Sequence, residues 1–432
     1  MAAPINLTLI PPSPVTNKIV LDVRGTVWND SDTAQSFEVA LYLDSEAQAA
    51  LLHRQTVLIP PHASRGVYCH QPMAGLAGHH QAILTAMSGG QTCRTTQPLE
   101  VLASASRSTE RLGGAWAGLY HWSEREGKLW NSEIKTMTDG QWRELVRGMH
   151  DLQMDIIVIQ EVFRNQMYYG EHTIEKDGYR GRAFYPSRLF PERMPICAAD
   201  PVEAILSEAD RLGMHVFPGV GLYAWFDFTA GSLQWHKQVV DELYAMYGHH
   251  PSLYGWYVSE EIFGDLGNDP KRFNEIINFF REFQSHCRAM APDKPLMLAP
   301  NCHFVGRAAE PWRQVLAHCD ILCPFGFHRM PEGDVTGEEA AALMQRLCDE
   351  AGAHLWMDME AFLFGPESEL YPRPINGLVS DLVRFPNFEK ILCYQYPGLM
   401  NAPSASIRPG GEDTVRLYVD YQRFLEKSAA NQ

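Results

Sequence analysis

The chain has 432 residues, which at roughly 100–200 residues per domain predicts two or three domains. Apolar residues make up 45% of it and charged residues 20%, so a large core can form and a disordered chain is excluded. The 36 Lys and Arg residues against 52 Asp and Glu residues give a formal net charge of −16. Such a surface repels phosphate backbones and anionic lipids, so we expect neither nucleic acid nor a membrane as a partner.

The N-terminus and the cysteines favour a cytoplasmic protein. The opening Met1-Ala-Ala-Pro-Ile-Asn6 has no basic stretch followed by an apolar one, so we expect no signal peptide. A periplasmic or secreted chain whose signal had been removed would look the same. The nine cysteines are odd in number and lack paired zinc-type spacing. We expect them to be reduced, including the closest pair, Cys319 and Cys323.

Residues 1–105 predict an all-β accessory domain. Lys18–Trp28 and Ser36–Asp44 alternate apolar and polar side chains with the period of two that half-buried strands show. Further short strands are predicted at Gln55–Ile59, Gly66–His70, Gln81–Ala86 and Leu99–Leu102. This pattern is typical of a small antiparallel sandwich of the immunoglobulin or fibronectin-III type. The sequence leaves three roles open for it: binding glycan, packing against the rest of the chain, or joining copies of the chain into a homo-oligomer.

Residues 106–432 predict an α/β domain in which strands and helices alternate. The predicted strands are Ala115–Trp122, Met154–Glu161, Met214–Trp225, Leu253–Glu261, Pro295–His303, Asp320–His328, His354–Phe364 and Lys390–Tyr396. The predicted helices are Asp139–Leu152, Pro201–Leu212, Leu233–Tyr247, Pro270–Met290, Pro311–His318, Thr336–Glu350, Asn376–Arg384 and Asp413–Leu425. Eight such repeats predict a (β/α)8 TIM barrel. A doubly wound open sheet is the alternative, but it would normally carry a phosphate-binding loop, and the sequence has no GxGxxG or GxxxxGK[ST].

In a TIM barrel the working residues lie at the C-terminal ends of the strands, and here those ends carry carboxylates, amides and aromatic rings. Glu260 and Glu261 end strand four, and Asp358 and Glu360 lie on strand seven. Alternation places Glu260 and Glu261 on opposite sides of their strand, and it does not decide which of them points inward. The remaining candidates at the strand ends are Trp122, Gln160, Glu161, Tyr223, Trp225, Asn301, His303, Gln395 and Tyr396.

This combination of residues is the equipment of a site that hydrolyses glycosidic bonds of an oligo- or polysaccharide. One carboxyl group protonates the departing oxygen, while a carboxylate attacks the anomeric carbon or activates water. We predict Glu261 as the general acid/base and Glu360 as the nucleophile or base, with no cofactor. Carboxyl groups about 5–5.5 Å apart would favour retention of configuration and about 6.5–9.5 Å inversion. The predicted hydroxyl-binding residues are Gln160, Glu161, Glu260, Asn301, His303, Asp358 and Gln395, and the predicted stacking residues are Trp122, Tyr223, Trp225 and Tyr396.

The segment Gly255-Trp-Tyr-Val-Ser-Glu-Glu261, preceded by His250-Pro-Ser-Leu253, resembles a motif of glycoside-hydrolase-like TIM barrels. It is similar to the fourth strand of clan-A glycosidases, which ends in Asn-Glu and supplies the acid/base. The resemblance implies that Glu261 is the acid/base and that Glu360, at the end of strand seven, is the nucleophile. Glu260 stands where the clan has Asn, and a carboxylate cannot donate to a sugar 2-hydroxyl as an amide does. The chain therefore resembles an uncharacterised family that is distantly similar to this clan.

Two other classes of function remain open. The first is a non-catalytic carbohydrate-binding barrel, which would bind oligosaccharides without releasing products. The second is a metal-dependent barrel hydrolase or lyase with ligands among His121, His303 and His328. Metal-dependent barrel hydrolases usually carry His-x-His on strand one, whereas this strand ends in Tyr120-His121-Trp122. We therefore predict no metal site.

Overall fold

The computed structural model describes residues 5–165, 181–221 and 227–430. The chain divides into two compact units. The first consists of Met1–Thr109, Arg281–Pro295 and Pro386–Lys390, and the second of Glu110–Phe280, Leu296–Phe385 and Ile391–Gln432. The sequence placed a boundary at residue 105 with the first domain continuous, whereas this unit runs to Thr109 and includes two later segments.

Apart from the helical residues 281–290, the first unit is built mainly from strands. In chain order they are β1 (Ile5–Ile10), β2 (Val15–Thr16), β3 (Val20–Asn29), β4 (Gln35–Leu43), β5 (Leu51–Ile59), β6 (Ala63–Pro72), β7 (Gly78–Ser88) and β8 (Gln91–Leu102). They form one sheet in the order β1-β3-β6 and another in the order β2-β8-β7-β4-β5. Neighbouring strands pair antiparallel except β2 and β8, which pair in parallel. The predicted all-β class of this region is confirmed.

The sequence analysis missed β1 and β2. Strand β1 pairs with β3 along its whole length, from Ile5 opposite Val27 to Ile10 opposite Asp22. Its side chains join a single hydrophobic cluster to which strands of both sheets contribute. Both missed strands are short and lie beside the prolines at positions 11, 12 and 14, and such residues usually indicate a loop.

A buried carboxylate holds the later segment Arg281–Pro295 within the first unit. Asp293 is 1% exposed. Its Oδ2 accepts hydrogen bonds from Asn6 Nδ2 at 2.6 Å and from Thr8 Oγ1 at 2.8 Å, and its Oδ1 accepts one from Thr26 Oγ1 at 2.6 Å. A buried carboxylate needs such donors because they replace the hydrogen bonds to water that it loses on burial.

Parallel strands form the centre of the second unit. They are β9 (Leu112–Ala117), β10 (Ile156–Ile159), β13 (His215–Pro218), β14 (Trp256–Val258), β15 (Leu296–Leu298), β16 (Ile321–Leu322), β17 (His354–Leu355), β18 (Met357–Glu360) and β21 (Ile391–Tyr394). Two short antiparallel strand pairs accompany this set: β11 (Phe163–Asn165) with β12 (Gly181–Ala183), and β19 (Phe362–Phe364) with β20 (Leu370–Pro372).

The parallel strands pair in two sheets, β13-β10-β9-β21-β18 and β14-β15-β16-β17. Parallel bridges from Val216 to Leu253 and from Gly219 to Tyr257 connect the β13 and β14 edges. Strands β17 and β18 are separated in the chain only by Trp356. Each of the eight predicted strand segments overlaps one of these strands, so the alternating α/β organisation is confirmed.

The helices agree closely with the sequence pattern. They are α1 (Asn131–Ile134), α2 (Asp139–Asp151), α3 (Pro201–Leu212), α4 (Ala230–Tyr247), α5 (Pro270–Met290), α6 (Ala309–Leu316), α7 (Gly337–Ala351), α8 (Ile375–Arg384) and α9 (Glu412–Ala430). The hydroxyl of Thr336 caps α7 by accepting from Glu339 N at 3.2 Å, and the Glu339 carboxylate accepts from Thr336 N at 2.9 Å. Gly352 ends the helix with φ 71°, a conformation that glycine adopts without strain. Within the described ranges, none of the helices is long and apolar enough to cross a membrane.

We predict that Asp293→Ala destabilises the protein by about 3 kcal/mol, because it leaves buried donors without an acceptor. Asp293→Asn keeps one acceptor oxygen and should lower the free energy of unfolding by less. Thermal and urea unfolding of the full chain measure both changes. The control is Asp32→Ala, because the Asp32 side chain is 97% exposed and should be dispensable. Equal stability of the Asp293 and Asp32 variants would contradict the assignment.

Candidate active site

A cavity of about 210 Å³ opens at the C-terminal ends of the parallel strands in the second unit. Four carboxyl groups line it, those of Glu126, Glu261, Asp358 and Glu360, together with the guanidinium group of Arg329. Aromatic side chains make up much of the remaining wall: Trp116, Trp122, Tyr257, Phe325, Phe362, Phe364 and Tyr394. The cavity therefore combines acid/base groups with flat apolar surfaces.

The structure shows which side chains of the fourth predicted strand segment point into the cavity, a question that the sequence left open. Tyr257, Ser259 and Glu261 line the cavity. Glu260 lies on the other side of the strand and is fully buried. On strand β18, Asp358 and Glu360 both line the cavity, in keeping with the alternation of side chains along a strand.

The pKa of Glu261 is raised to about 7, chiefly by burial and also by the neighbouring carboxyl groups of Glu126 and Glu360, against the opposing charge of Arg329. A carboxyl group in a largely apolar wall resists ionisation because it loses the stabilisation of bulk water. Glu261 therefore holds a proton over much of the range below neutral pH.

The pKa of Glu360 shifts in the opposite direction, although burial acts on it in the same way. Burial by itself raises its pKa, but contacts with His328 and Arg329 outweigh that effect, and the pKa of Glu360 is lowered. Arg329 Nε donates to Glu360 Oε1 at 2.6 Å, and His328 Nδ1 lies 3.0 Å from Glu360 Oε2. Glu360 is therefore ionised at a pH where Glu261 is still protonated.

Asp358 is a further acid in the cavity wall and lies two residues before Glu360 on strand β18. Burial raises its pKa well above the usual value, and the charges of Glu360 and Glu261 act in the same direction. A raised pKa keeps a carboxyl group protonated to a higher pH than usual, and the protonated form can both donate and accept a hydrogen bond.

Glu126 is a site residue that the sequence analysis missed. It lies in the loop after β9, four residues beyond Trp122, and lines the cavity. Burial raises its pKa to about 7, against the charges of Arg125 and Arg329. Its position in the first connection between a strand and a helix could have identified it, but the sequence criterion covered only residues at the strand ends.

Several predicted residues lie outside the cavity lining. The Glu161 carboxylate is fully buried and pairs with Arg164, and Gln395 Oε1 accepts a hydrogen bond from Gly118 N at 3.2 Å. Asn301 Oδ1 accepts from Gly264 N at 3.0 Å and from His303 N at 3.1 Å. These contacts position the loops around the cavity.

Tyr396 points away from the cavity. Strand β21 ends at Tyr394, which lines the cavity, so Tyr396 no longer follows the strand alternation. Its hydroxyl packs against Gly148 of α2, where an added Cβ would lie 2.4 Å away. Trp122 and Gln160 do line the cavity, while Tyr223 and Trp225 lie outside the described residues.

Three histidines were considered as metal ligands: His121, His303 and His328. His121 is buried between Trp122 and Trp130, and burial lowers its pKa to about 3. His328 contacts Glu360, and burial lowers the pKa of His303. Among the described residues, the side chains spaced as metal ligands are Glu203, His249 and His250, which are not in the cavity lining. The two ring nitrogens of His250 already contact Asp210 and Glu203, at 2.6 and 3.0 Å.

We predict that Arg329→Met raises the pKa of Glu360, because burial is then opposed chiefly by His328. A depressed carboxyl pKa stabilises the folded state above the unfolded pKa, and this contribution is lost as the pH falls through the folded pKa. The variant should therefore lose stability at a higher pH than the parent. Carbon-detected NMR of ¹³C-labelled glutamate carboxyls measures the shift, with the partly exposed Arg313→Met as control. Unchanged titration of Glu360 would contradict this account.

Comparisons with known proteins agree with the glycosidase-like character of this chain. The β-glucuronidase of Canis lupus familiaris is 27% identical over 125 residues, which cover 28% of this chain and 17% of that relative. The β-glucuronidase of Rattus norvegicus is 28% identical over 124 residues, again 28% of this chain and 17% of the relative. The matched part is thus a small fraction of the curated relatives.

A solved structure from Bacteroides thetaiotaomicron, described as a candidate alpha-L-fucosidase, is similar with a TM-score of 0.54 and 17% identity. The similarity covers 75% of this chain and 96% of that chain, and it concerns the fold alone. The predicted resemblance to a glycosidase-like family is confirmed. The family model described as a domain of unknown function, DUF4434, matches residues 114–407, which is more than half of the chain. The protein therefore belongs to the DUF4434 family.

Proposed function

We propose that the second unit is a (β/α)8 barrel that hydrolyses glycosidic bonds, with Glu261 as general acid/base and Glu360 as nucleophile or base. The parallel pairings from β9 through β10, β13 and β14 to β17, and from β18 through β21 back to β9, support closure of the barrel. The partial sequence similarity to β-glucuronidases supports the reaction class.

The observation that carries this proposal is the opposite protonation of two glutamates in one cavity. Glycoside hydrolysis needs a protonated acid and an ionised carboxylate at the same pH. Burial raises the pKa of Glu261 to about 7, while His328 and Arg329 offset burial and lower the pKa of Glu360. Near pH 6 the two groups are therefore in the states that the reaction requires.

In the proposed reaction, Glu261 donates its proton to the glycosidic oxygen as the bond between that oxygen and the anomeric carbon breaks. The Glu360 carboxylate either attacks the anomeric carbon or removes a proton from the attacking water. Arg329 and His328 keep Glu360 ionised and fix its orientation. The anomer of the first-formed product, read by proton NMR, decides between the two roles of Glu360.

The rest of the lining suits a sugar. Trp122 and Phe362 offer apolar faces to the C–H side of a sugar ring, and Gln160, Ser259 and Asp358 offer donors and acceptors to its hydroxyl groups. Such a mixture of flat apolar walls and few polar groups is what orients a small polar ligand. The oligo- or polysaccharide substrate predicted from the sequence remains part of this proposal.

We predict that Glu261→Gln and Glu360→Gln each lower kcat by at least about 10²-fold, the lower bound for losing a general acid or base. Folding should be retained, because each change replaces one polar group by another of equal size. A panel of aryl glycosides and natural oligosaccharides with product analysis measures the activity. The control is Glu310→Gln, whose side chain is 70% exposed. Sugar binding without turnover in the parent protein would instead favour a binding protein.

We also predict a bell-shaped dependence of kcat/KM on pH. The basic limb should lie near pH 7, because Glu261 must be protonated and its pKa is about 7. The acidic limb should lie below the ordinary glutamate value, because the pKa of Glu360 is lowered. Initial rates across the pH range, corrected for stability, measure both limbs. Activity that rises steadily through pH 8 would exclude Glu261 as the acid.

A further inference from the structure

Glu126 is held at the cavity by a tightly connected loop. Its backbone N–H donates to Ser123 Oγ at 3.2 Å, and the next residue, Gly127, donates to Ser123 O at 2.8 Å. Gly127 packs so closely that an added Cβ would lie 2.7 Å from the Asn131 side chain. The buried Asn131 in turn accepts from His121 N at 2.9 Å. These contacts fix the backbone of the loop and therefore the position from which the Glu126 side chain starts.

A second set of contacts holds this loop from the opposite side. Arg125 Nε donates to Glu367 O at 2.6 Å, and an Arg125 terminal nitrogen donates to Ser368 Oγ at 2.6 Å. Residues 367 and 368 lie in the turn between β19 and β20, the hairpin that carries Phe362, Phe364 and Leu370 of the cavity wall. Arg125 thus ties the loop to this hairpin, and the next residue, Glu126, lines the cavity.

The charge of the cavity wall is unbalanced. Among the described residues that line it, four are acids and Arg329 supplies the permanent positive charge. Arg329 already donates to Glu360 at 2.6 Å. His121, 3.6 Å from Glu126 Oε2, is a weak source of positive charge because burial lowers its pKa to about 3. Glu126 thus lies in the wall without a cation committed to it in the way that Arg329 is committed to Glu360.

We propose that Glu126, in its ionised form, is a specificity-determining residue that disfavours sugar carboxylates in this cavity relative to sugars that are neutral or carry an amino group. This inference rests on the proposed function and specifies its substrate class. A sugar carboxylate would enter a wall that already holds several acids and whose guanidinium group, that of Arg329, is already shared with Glu360. A hydroxyl or an ammonium group, by contrast, can donate a hydrogen bond to the Glu126 carboxylate.

The test is calorimetric titration at about pH 8, where Glu126, with a pKa of about 7, is mostly ionised. The groups that face it there are Arg125, Arg329, His121 and Glu261. The probes are matched sets of a hexose, its uronate and its 2-amino derivative, in the gluco, galacto and manno series. In the best-binding series we expect the parent protein to bind the uronate at least about tenfold more weakly than the hexose, as a like-charge contact screened by solvent would produce.

Glu126→Gln should reduce the ratio of the uronate Kd to the hexose Kd about three- to tenfold, because it removes the negative charge and keeps the shape of the side chain. The matched control is Glu124→Gln, an equal charge change in the same loop at a residue outside the cavity lining, and it should leave the ratio unchanged. If the amino sugar binds best in the parent and loses this advantage in Glu126→Gln, the accepted class is cationic; if the hexose binds best, it is neutral.

Two results would overturn the inference. One is a parent protein that binds the uronate as tightly as the hexose, and the other is a Glu126→Gln ratio within twofold of the parent ratio. If either occurs while neutral glycosides are hydrolysed with Glu261 and Glu360 essential, only the role of Glu126 fails. If no sugar of the panel binds and no glycoside is cleaved, the proposed function fails as well.

Discussion

The candidate site depends on how much a buried carboxyl group must be compensated. Glu261 and Glu360 line one cavity and both lose water, yet only Glu360 receives a guanidinium donor at 2.6 Å and an imidazole at 3.0 Å. Desolvation acts on both in the same direction, so the difference in their protonation comes from these two neighbours. A pair of chemically identical side chains thus acquires two different properties from the placement of Arg329 and His328.

The fold explains how these neighbours converge. Glu360 ends β18. His328 and Arg329 follow β16, and Glu261 follows β14. Parallel strands bring their C-terminal ends to one edge, so residues far apart in the sequence meet there. The fully buried partners beneath them, such as Glu161 with Arg164, fix the loops on which the cavity residues depend. The acids at the cavity surface and the ion pairs behind it therefore serve different purposes.

The sequence predicted much of the fold because both units show strong periodicity. Helix α3 and helix α5 have the predicted bounds, and Glu261 and Glu360 line the cavity as the strand-end argument required. The failures also have physical causes. Alternation gives two faces but not their direction, so Glu260 and Glu261 were indistinguishable. Residues beyond a strand end, such as Tyr396 and Glu126, follow the path of a loop, which depends on tertiary contacts that periodicity does not encode.

The discontinuous first unit has an evolutionary consequence. Because Asp293 obtains its hydrogen bonds from Asn6, Thr8 and Thr26, a gene shortened by its first hundred codons would leave the later segment Arg281–Pro295 without the strands that hold it. Exchange of the sandwich by a single recombination event would meet the same obstacle unless the incoming module supplied equivalent donors. The N-terminal strands and the later segment that completes the first unit are therefore expected to be inherited together, unlike a module that is joined only by a linker.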